Sequence, residues 1–272
     1  MYYLFSLALC VALVQSSIAQ SVYPAIGART HAMGYSATCS RDGWSVFNNP
    51  AGMAGFTAVE TGAGVERVTG FPSFERISAF AIVPWKLGAT AIGASRFGDD
   101  LYNEQLITFG YANRFGLASL GAAVRYIRVN TEGFGGKSVA SVSTGGVAEL
   151  TPWLLAGAKI TNIIQPKLAE GERLPTMMSA AIAVTHREKF VATLEIEKDL
   201  DYEPVIKAGT EYIFNKKFAV RSGFNLNPAA IFGGFGISRS RFTVDYAFCW
   251  NTEWPVVHGL SVGFQFIRKE RP

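Results

Sequence analysis

VIKAGTEYIFNKKFAVRSGFNL (Val205–Leu226) carries two runs of alternating side chains around a short polar break. Ile206, Ala208, Thr210, Tyr212 and Phe214 share one parity, and Lys207 and Glu211 share the other. After Asn215-Lys216-Lys217 the alternation resumes, with Phe218, Val220, Phe224 and Leu226 on one parity and Arg221 on the other. Successive side chains of a strand point to opposite faces, so each run has one apolar and one polar face. A three-residue hairpin loop at Asn215–Lys217 sets Phe214 against Phe218, Tyr212 against Val220 and Glu211 against Arg221. A two-residue turn slips the register by one and sets Glu211 against Val220.

The same period of two recurs on both sides. About fourteen segments follow it, from Thr57–Arg67 to Val257–Ile267, most of them close to the ~10 residues a tilted membrane-crossing strand needs. Several connections are tight, among them Pro84-Trp85-Lys86, Arg114-Phe115-Gly116, Leu150-Thr151-Pro152 and Ser238-Arg239-Ser240. Longer polar links, Asn130–Lys137 and Ile164–Thr176, fall between them. Short periplasmic turns alternating with longer external loops are the habit of outer-membrane barrels. The expected fold is therefore all-β: a transmembrane antiparallel β-barrel of about 14 strands over residues 56–272. Lys or Arg on the lipid face near mid-bilayer costs about 2–4 kcal/mol, so the charged parities belong inside. Glu195, Lys207, Glu211, Arg221 and Asp245 are thereby assigned to the lumen, a mixture of signs that suits packing against a polar plug better than selecting ions. Trp85 and Trp153 at short turns, and Trp250 and Trp254 near a loop, fit two interfacial aromatic belts.

Upstream of the strands the chain reads differently. Residues 1–20 contain no charged side chain, Leu4–Val14 is almost wholly apolar, and Ser17-Ile18-Ala19 supplies small residues for a peptidase. These mark residues 1–20 as a signal peptide and place the mature chain in the cell envelope. Residues 21–55 lack the strand period. Gly27, Gly34, Gly43 and Gly52 punctuate them, and Asn48-Asn49-Pro50-Ala51-Gly52 closes them. Asn before Pro disfavours helix, and Gly52 offers a left-handed conformation. A compact non-repeating piece before many strands is expected to be a short N-terminal lumenal plug, with Asn49-Pro50 turning the chain into the first strand. Arg29 and Asp42 within it are expected to satisfy each other or buried backbone groups.

Gly27-Ala28-Arg29, Met33-Gly34, Asp42 and Asn49-Pro50-Ala51-Gly52, in that order behind a signal peptide, resemble the N-terminal signature of PorV/PorQ-type outer-membrane proteins, relatives of the FadL-like long-chain fatty-acid transporters. The resemblance covers about thirty residues. It implies a location in the outer membrane of a Gram-negative bacterium and a non-enzymatic role as accessory to type IX protein secretion or surface assembly, with secretion machinery or other outer-membrane proteins as partners. In the FadL-like family the Asn49–Gly52 motif would lie beside the route of a hydrophobic ligand and act as a gate. A FadL-like channel for a hydrophobic small molecule is accordingly the alternative, and an outer-membrane lipid-modifying enzyme a second one.

Composition supports a membrane barrel and excludes much else. The chain is 49% hydrophobic, with a mean hydropathy of +0.19, yet no later apolar run could form a helical span. A net charge of +4, scattered along the chain, does not call for a nucleic-acid partner. His31, His186 and His258 have no ligand spacing, so neither metal nor cofactor is expected. Gly135-Gly136-Lys137-Ser138 imitates the end of a phosphate loop, but Thr131 stands where the first glycine belongs. Only Cys39 and Cys249 lie beyond the signal peptide, and whether they bond is left open by the sequence. Outer-membrane lipid surrounds whatever else the barrel meets.

Overall fold

The computed structural model describes residues 25–266, apart from 170–171, 188, 201 and 252–254. The expected signal peptide and Trp254 lie outside the described residues. Fourteen strands form one closed antiparallel barrel. They are β1 (Glu60–Val68), β2 (Phe71–Trp85), β3 (Gly88–Gly98), β4 (Tyr102–Phe115), β5 (Ala118–Thr131), β6 (Gly135–Thr151), β7 (Leu154–Thr161), β10 (Met177–His186), β11 (Phe190–Asp199), β12 (Val205–Phe214), β13 (Phe218–Leu226), β14 (Ala230–Arg239), β15 (Phe242–Asn251) and β16 (Val257–Gln265). Each pairs with its sequence neighbour, and β1 pairs with β16, from Glu60↔Gln265 to Val68↔Val257, to close the ring. Inside Ile164–Thr176 a small hairpin, β8 (Lys167–Ala169) and β9 (Glu172–Arg173), stands apart from the wall.

One connection differs from its sequence reading. Asn130–Lys137 is not a long loop: β5 and β6 continue through it, paired to Thr131↔Gly135, and turn over Glu132-Gly133-Phe134. The polar residues there are strand residues that rise beyond the rest of the barrel. Gly133 at φ 78° takes the left-handed position the tight turn requires.

The outer face is a band of exposed apolar side chains. Leu194, Ile196, Tyr212, Phe218, Val220, Phe235, Val244 and Leu260 all project outward with large exposed areas. Trp85 and Trp153 sit at short turns and Trp250 near the other end, all about half exposed. Water would not tolerate so large an apolar surface on a monomer, whereas a bilayer requires it.

Residues 25–56 lie within the barrel and are nearly all buried. They form α1 (Ala28–Ala32), α2 (Ser45–Asn48) and a 3-10 helix (Pro50–Gly55). Inward-facing glycines leave room for them. A Cβ on Gly93, Gly110, Gly121, Gly145 or Gly157 would come within 2.1 to 2.9 Å of Phe47, Met53, Ala51, Asn49 or Cys39, respectively. Five neighbouring strands, β3 to β7, thus share a trough that any larger side chain would fill.

Candidate functional site

The lumen has two unlike walls, and the inner segment touches both. On β11–β15 the wall is ionic. Arg29, on α1, donates from Nε and Nη2 to both carboxylate oxygens of Glu211 at 2.9 and 2.8 Å. Its Nη1 donates to Asp42 Oδ2 at 2.9 Å. Glu211 also accepts from Arg221 Nε at 2.5 Å, and Arg221 Nη1 donates to Asp245 at 2.7 Å. The result is an alternating chain, Asp42–Arg29–Glu211–Arg221–Asp245, running from the inner segment into the wall. Every charge in it has an opposite neighbour, which a buried charge needs. Glu195 accepts from the backbone N–H groups of Ala37 and Thr38, both at 2.9 Å. Lys207 pairs with Glu197 at 2.6 Å, and Lys159 approaches the same carboxylate at 3.6 Å.

On β2–β6 the wall is mainly apolar. Phe80, Ile82, Ala91, Leu106 and Ile127 are buried there and pack with Trp44, Phe47 and Met53 of the inner segment. Leu106, Ile127 and Val139 stand side by side in register across β4, β5 and β6. Arg125, also buried in this wall, donates to the Phe47 carbonyl.

Asn49 is a structural pivot. Its Oδ1 accepts from Ala51 N at 3.2 Å and caps the 3-10 helix, while Nδ2 donates to the Thr38 carbonyl at 2.6 Å. Pro50 occupies the first turn, where no N–H is needed. Two parts of the sequence reading are corrected here. Gly52 is absent from the positive-φ residues, and its requirement is space: a Cβ would lie 2.2 Å from the Ser40 carbonyl oxygen. Nor does Asn49-Pro50 lead straight into β1, because the 3-10 helix carries the chain across β3–β6 before β1 starts at Glu60.

His31 is fully buried, stacked on Tyr35 with ring centroids 4.8 Å apart, and neither ring nitrogen has a hydrogen-bond partner. Burial, helped by the Arg76 charge, pushes its pKa down to about 3. Cys39 and Cys249 are both free thiols. Cys39 packs against Ala181 and Ala183, whereas Cys249 packs against Ala230 and Phe232 on another part of the wall. Among the described residues no group of His, Cys, Asp and Glu could hold a metal ion.

Two cavities flank the inner segment. One of about 880 Å³ lies toward the short turns, among Arg29, Asp42, Glu60, Phe80 and Lys216. A much smaller one, about 40 Å³, lies toward the loops, between Ile26, Phe47, Leu106, Arg125 and Met177. Sequence reasoning missed the apolar wall and the glycine trough. Their signal was present, since Gly110, Gly121, Gly145 and Gly157 all stand on the parity opposite the exposed apolar residues.

No family model and no curated protein matches the chain. Solved structures do. The Ralstonia pickettii toluene transporter TbuX superposes with a TM-score of 0.72 over 90% of this chain and 99% of its own, at 12% identity. The monoaromatic hydrocarbon channel CymD gives 0.69 over 89% and 97%, at 14% identity. A Pseudomonas aeruginosa FadL homologue gives 0.65 over 90% and 99%, at 13% identity. The class is thereby set: a closed β-barrel with the fold of FadL-type outer-membrane proteins of Gram-negative bacteria. At these identities the likeness is one of fold.

Proposed function

We propose that this barrel admits a hydrophobic small molecule across the outer membrane, and that the molecule travels between the inner segment and the β2–β6 wall. One observation carries the reading. The most extended buried apolar cluster lies on that side, from Leu106, Ile127 and Val139 toward the loops to Phe80, Ile82 and Ala89 toward the short turns. The β11–β15 wall carries the paired charges and only small apolar clusters, around Ala247 and around Phe232. The solved neighbours named as a toluene transporter and a hydrocarbon channel support the same choice. We prefer it to the accessory role in type IX secretion that the N-terminal motif implied and to the lipid-modifying enzyme, since the solved neighbours are named as transporters and channels. On this reading the outer side is the loop end, and Phe47 and Met53 obstruct the path until the inner segment shifts.

The test is uptake of a radiolabelled monoaromatic hydrocarbon and of a long-chain fatty acid by cells whose own outer-membrane carriers are deleted. Cells making the wild-type protein should take up at least one of the two faster than cells with the empty vector. Ile127→Asp, which sets a charge on the apolar wall, should abolish the gain, while Lys207→Gln on the other wall should not. Equal uptake with and without the protein would sink the proposal.

A further inference from the structure

On β3–β5 the outer face departs from its apolar rule in a register row. Arg96 on β3, Gln105 on β4 and Arg128 on β5 lie in one register row, Arg96↔Gln105↔Arg128, and continue to Ser138 on β6. Their parity is that of Ile92, Ile107, Phe109 and Val124, all large apolar residues exposed on the outside of the barrel. The two arginines therefore project from the outer wall, not into the lumen, two strands or about 10 Å apart. On β13, β14 and β15 the outward residues toward the loop end include Phe224, Ile231 and Trp250, which share one register row. On the β3–β5 sector two arginines thus share one register row with a glutamine between them.

Its height is informative. Tyr126 is the next outward residue below Arg128, and its hydroxyl bonds Ser138 Oγ at 2.8 Å. Tyrosine and tryptophan at this level form the interfacial belt, so the arginines stand one step above it, among headgroups. From Leu120 at the short-turn end to Arg128 the strand rises about 20 Å at the usual tilt, close to the height of an outer-membrane apolar band. An outward arginine costs most at mid-bilayer and little at this level.

Polar groups continue above the row. Gln105 Nε2 donates to Asn103 Oδ1 at 3.1 Å, and Asn130 pairs with Asn103 across the strands. Gly98 and Gly136 flank this pair in register, and the Arg128 side chain lies against the bare backbone of Gly136. A Cβ on Gly136 would stand 3.5 Å from Arg128 Nε. Arg96 leans toward Asp100, at 3.4 Å, but that carboxylate is fully exposed and the contact long.

We infer that Arg96, Gln105 and Arg128 form a docking site for the phosphate of an anionic lipid headgroup in the outer leaflet. Guanidinium groups grip phosphate through two parallel N–H bonds, and weaker hydration lets arginine do so at a membrane surface. The acyl chains of such a lipid would lie down the apolar faces of Ile107, Val124 and Tyr126. The inference rests on the barrel being seated in a membrane and is independent of its cargo.

Native mass spectrometry of the detergent-purified barrel, titrated with phosphatidylglycerol, phosphatidylcholine or inorganic phosphate, tests it. The double variant Arg96→Gln/Arg128→Gln should hold phosphatidylglycerol about tenfold more weakly, as expected when charge-assisted bonds are lost. Arg96→Lys/Arg128→Lys, which keeps the charge and loses the forked geometry, should fall between. The control Lys216→Gln/Lys217→Gln, with equal charge removed at the other end, should bind as the wild type does. A heat-dependent gel shift confirms that each barrel has folded. Equal phosphatidylglycerol binding by all four proteins would overturn the site. So would wild-type retention of inorganic phosphate as tight as that of the lipid, or a dimer that the double variant loses.

Discussion

Glu211 and Arg221 face each other directly across β12 and β13, with Oε2 and Nε 2.5 Å apart and both side chains almost wholly buried. The register that places them there is set by the turn Asn215-Lys216-Lys217, whose first two residues take φ of 50° and 57°. A surface hairpin thus fixes the contents of the lumen. Because Arg29 grips the same carboxylate, the turn also decides where the inner segment can be held.

Double-mutant cycles should detect that coupling. Glu211→Gln and Arg221→Gln, each alone, leave a buried partner uncompensated, at a cost on the order of 3 kcal/mol. The double variant should lose less than the sum, with an interaction energy of about 1–3 kcal/mol. Denaturant unfolding of the barrel in micelles measures it, and strict additivity would contradict the buried chain of charges.

Gly121→Val addresses the trough. A Cβ at this position meets Ala51 N and Pro50 C, both at 2.5 Å and both backbone, so neither can move aside without shifting the 3-10 helix. Overpacking of this kind costs about 1–3 kcal/mol. The barrel should still show its heat-dependent gel shift, because the strand ladder is untouched. Residues 25–56 should become open to proteolysis, and a variant with unaltered protection would refute the packing account.

Acidification should loosen the inner segment through His31. Its folded pKa, about 3, lies below the ordinary ~6.5, so the unfolded state binds the proton more readily. The stability it contributes is complete above about pH 6.5 and is lost as pH falls from there toward 3. His31→Phe keeps the stacking on Tyr35 and removes the titration. The variant should therefore lose less stability than the wild type between pH 7 and pH 4, and matching pH profiles would disprove the role.

Thiol labelling separates two questions. Cys39 and Cys249 are buried and unbonded, so a maleimide should react slowly with the folded barrel and quickly after denaturation without reductant. Two labels on the mature protein would agree with removal of Cys10 along with residues 1–20; three would show that the leader stays. A single label or none would indicate an oxidised pair.

Much of the barrel was legible in the sequence because a membrane wall obeys two simple constraints. Period-two alternation separates lipid from lumen, and charges are too costly outside. Lys207, Glu211, Arg221 and Asp245 are inside, on strands whose limits the alternation located to within a few residues. What stayed hidden was set by contacts between distant parts of the chain. Gly110 and Gly121 read as weak strand residues until Met53 and Pro50 are placed against them. Polarity misled at Asn130–Lys137, since strands rising clear of the bilayer need not be apolar. At Arg96 and Arg128 the facing rule is broken near the loop end, where breaking it is cheap.

The ring closes through β1 and β16, the first and last strands of the wall, with residues 25–56 already inside it. The seam, Glu60 to Gln265, joins residues from opposite ends of the wall, so neither end strand has both of its neighbours until the whole chain is present. Closing the ring is the pairing of longest sequence separation in the wall, the kind that slows folding most.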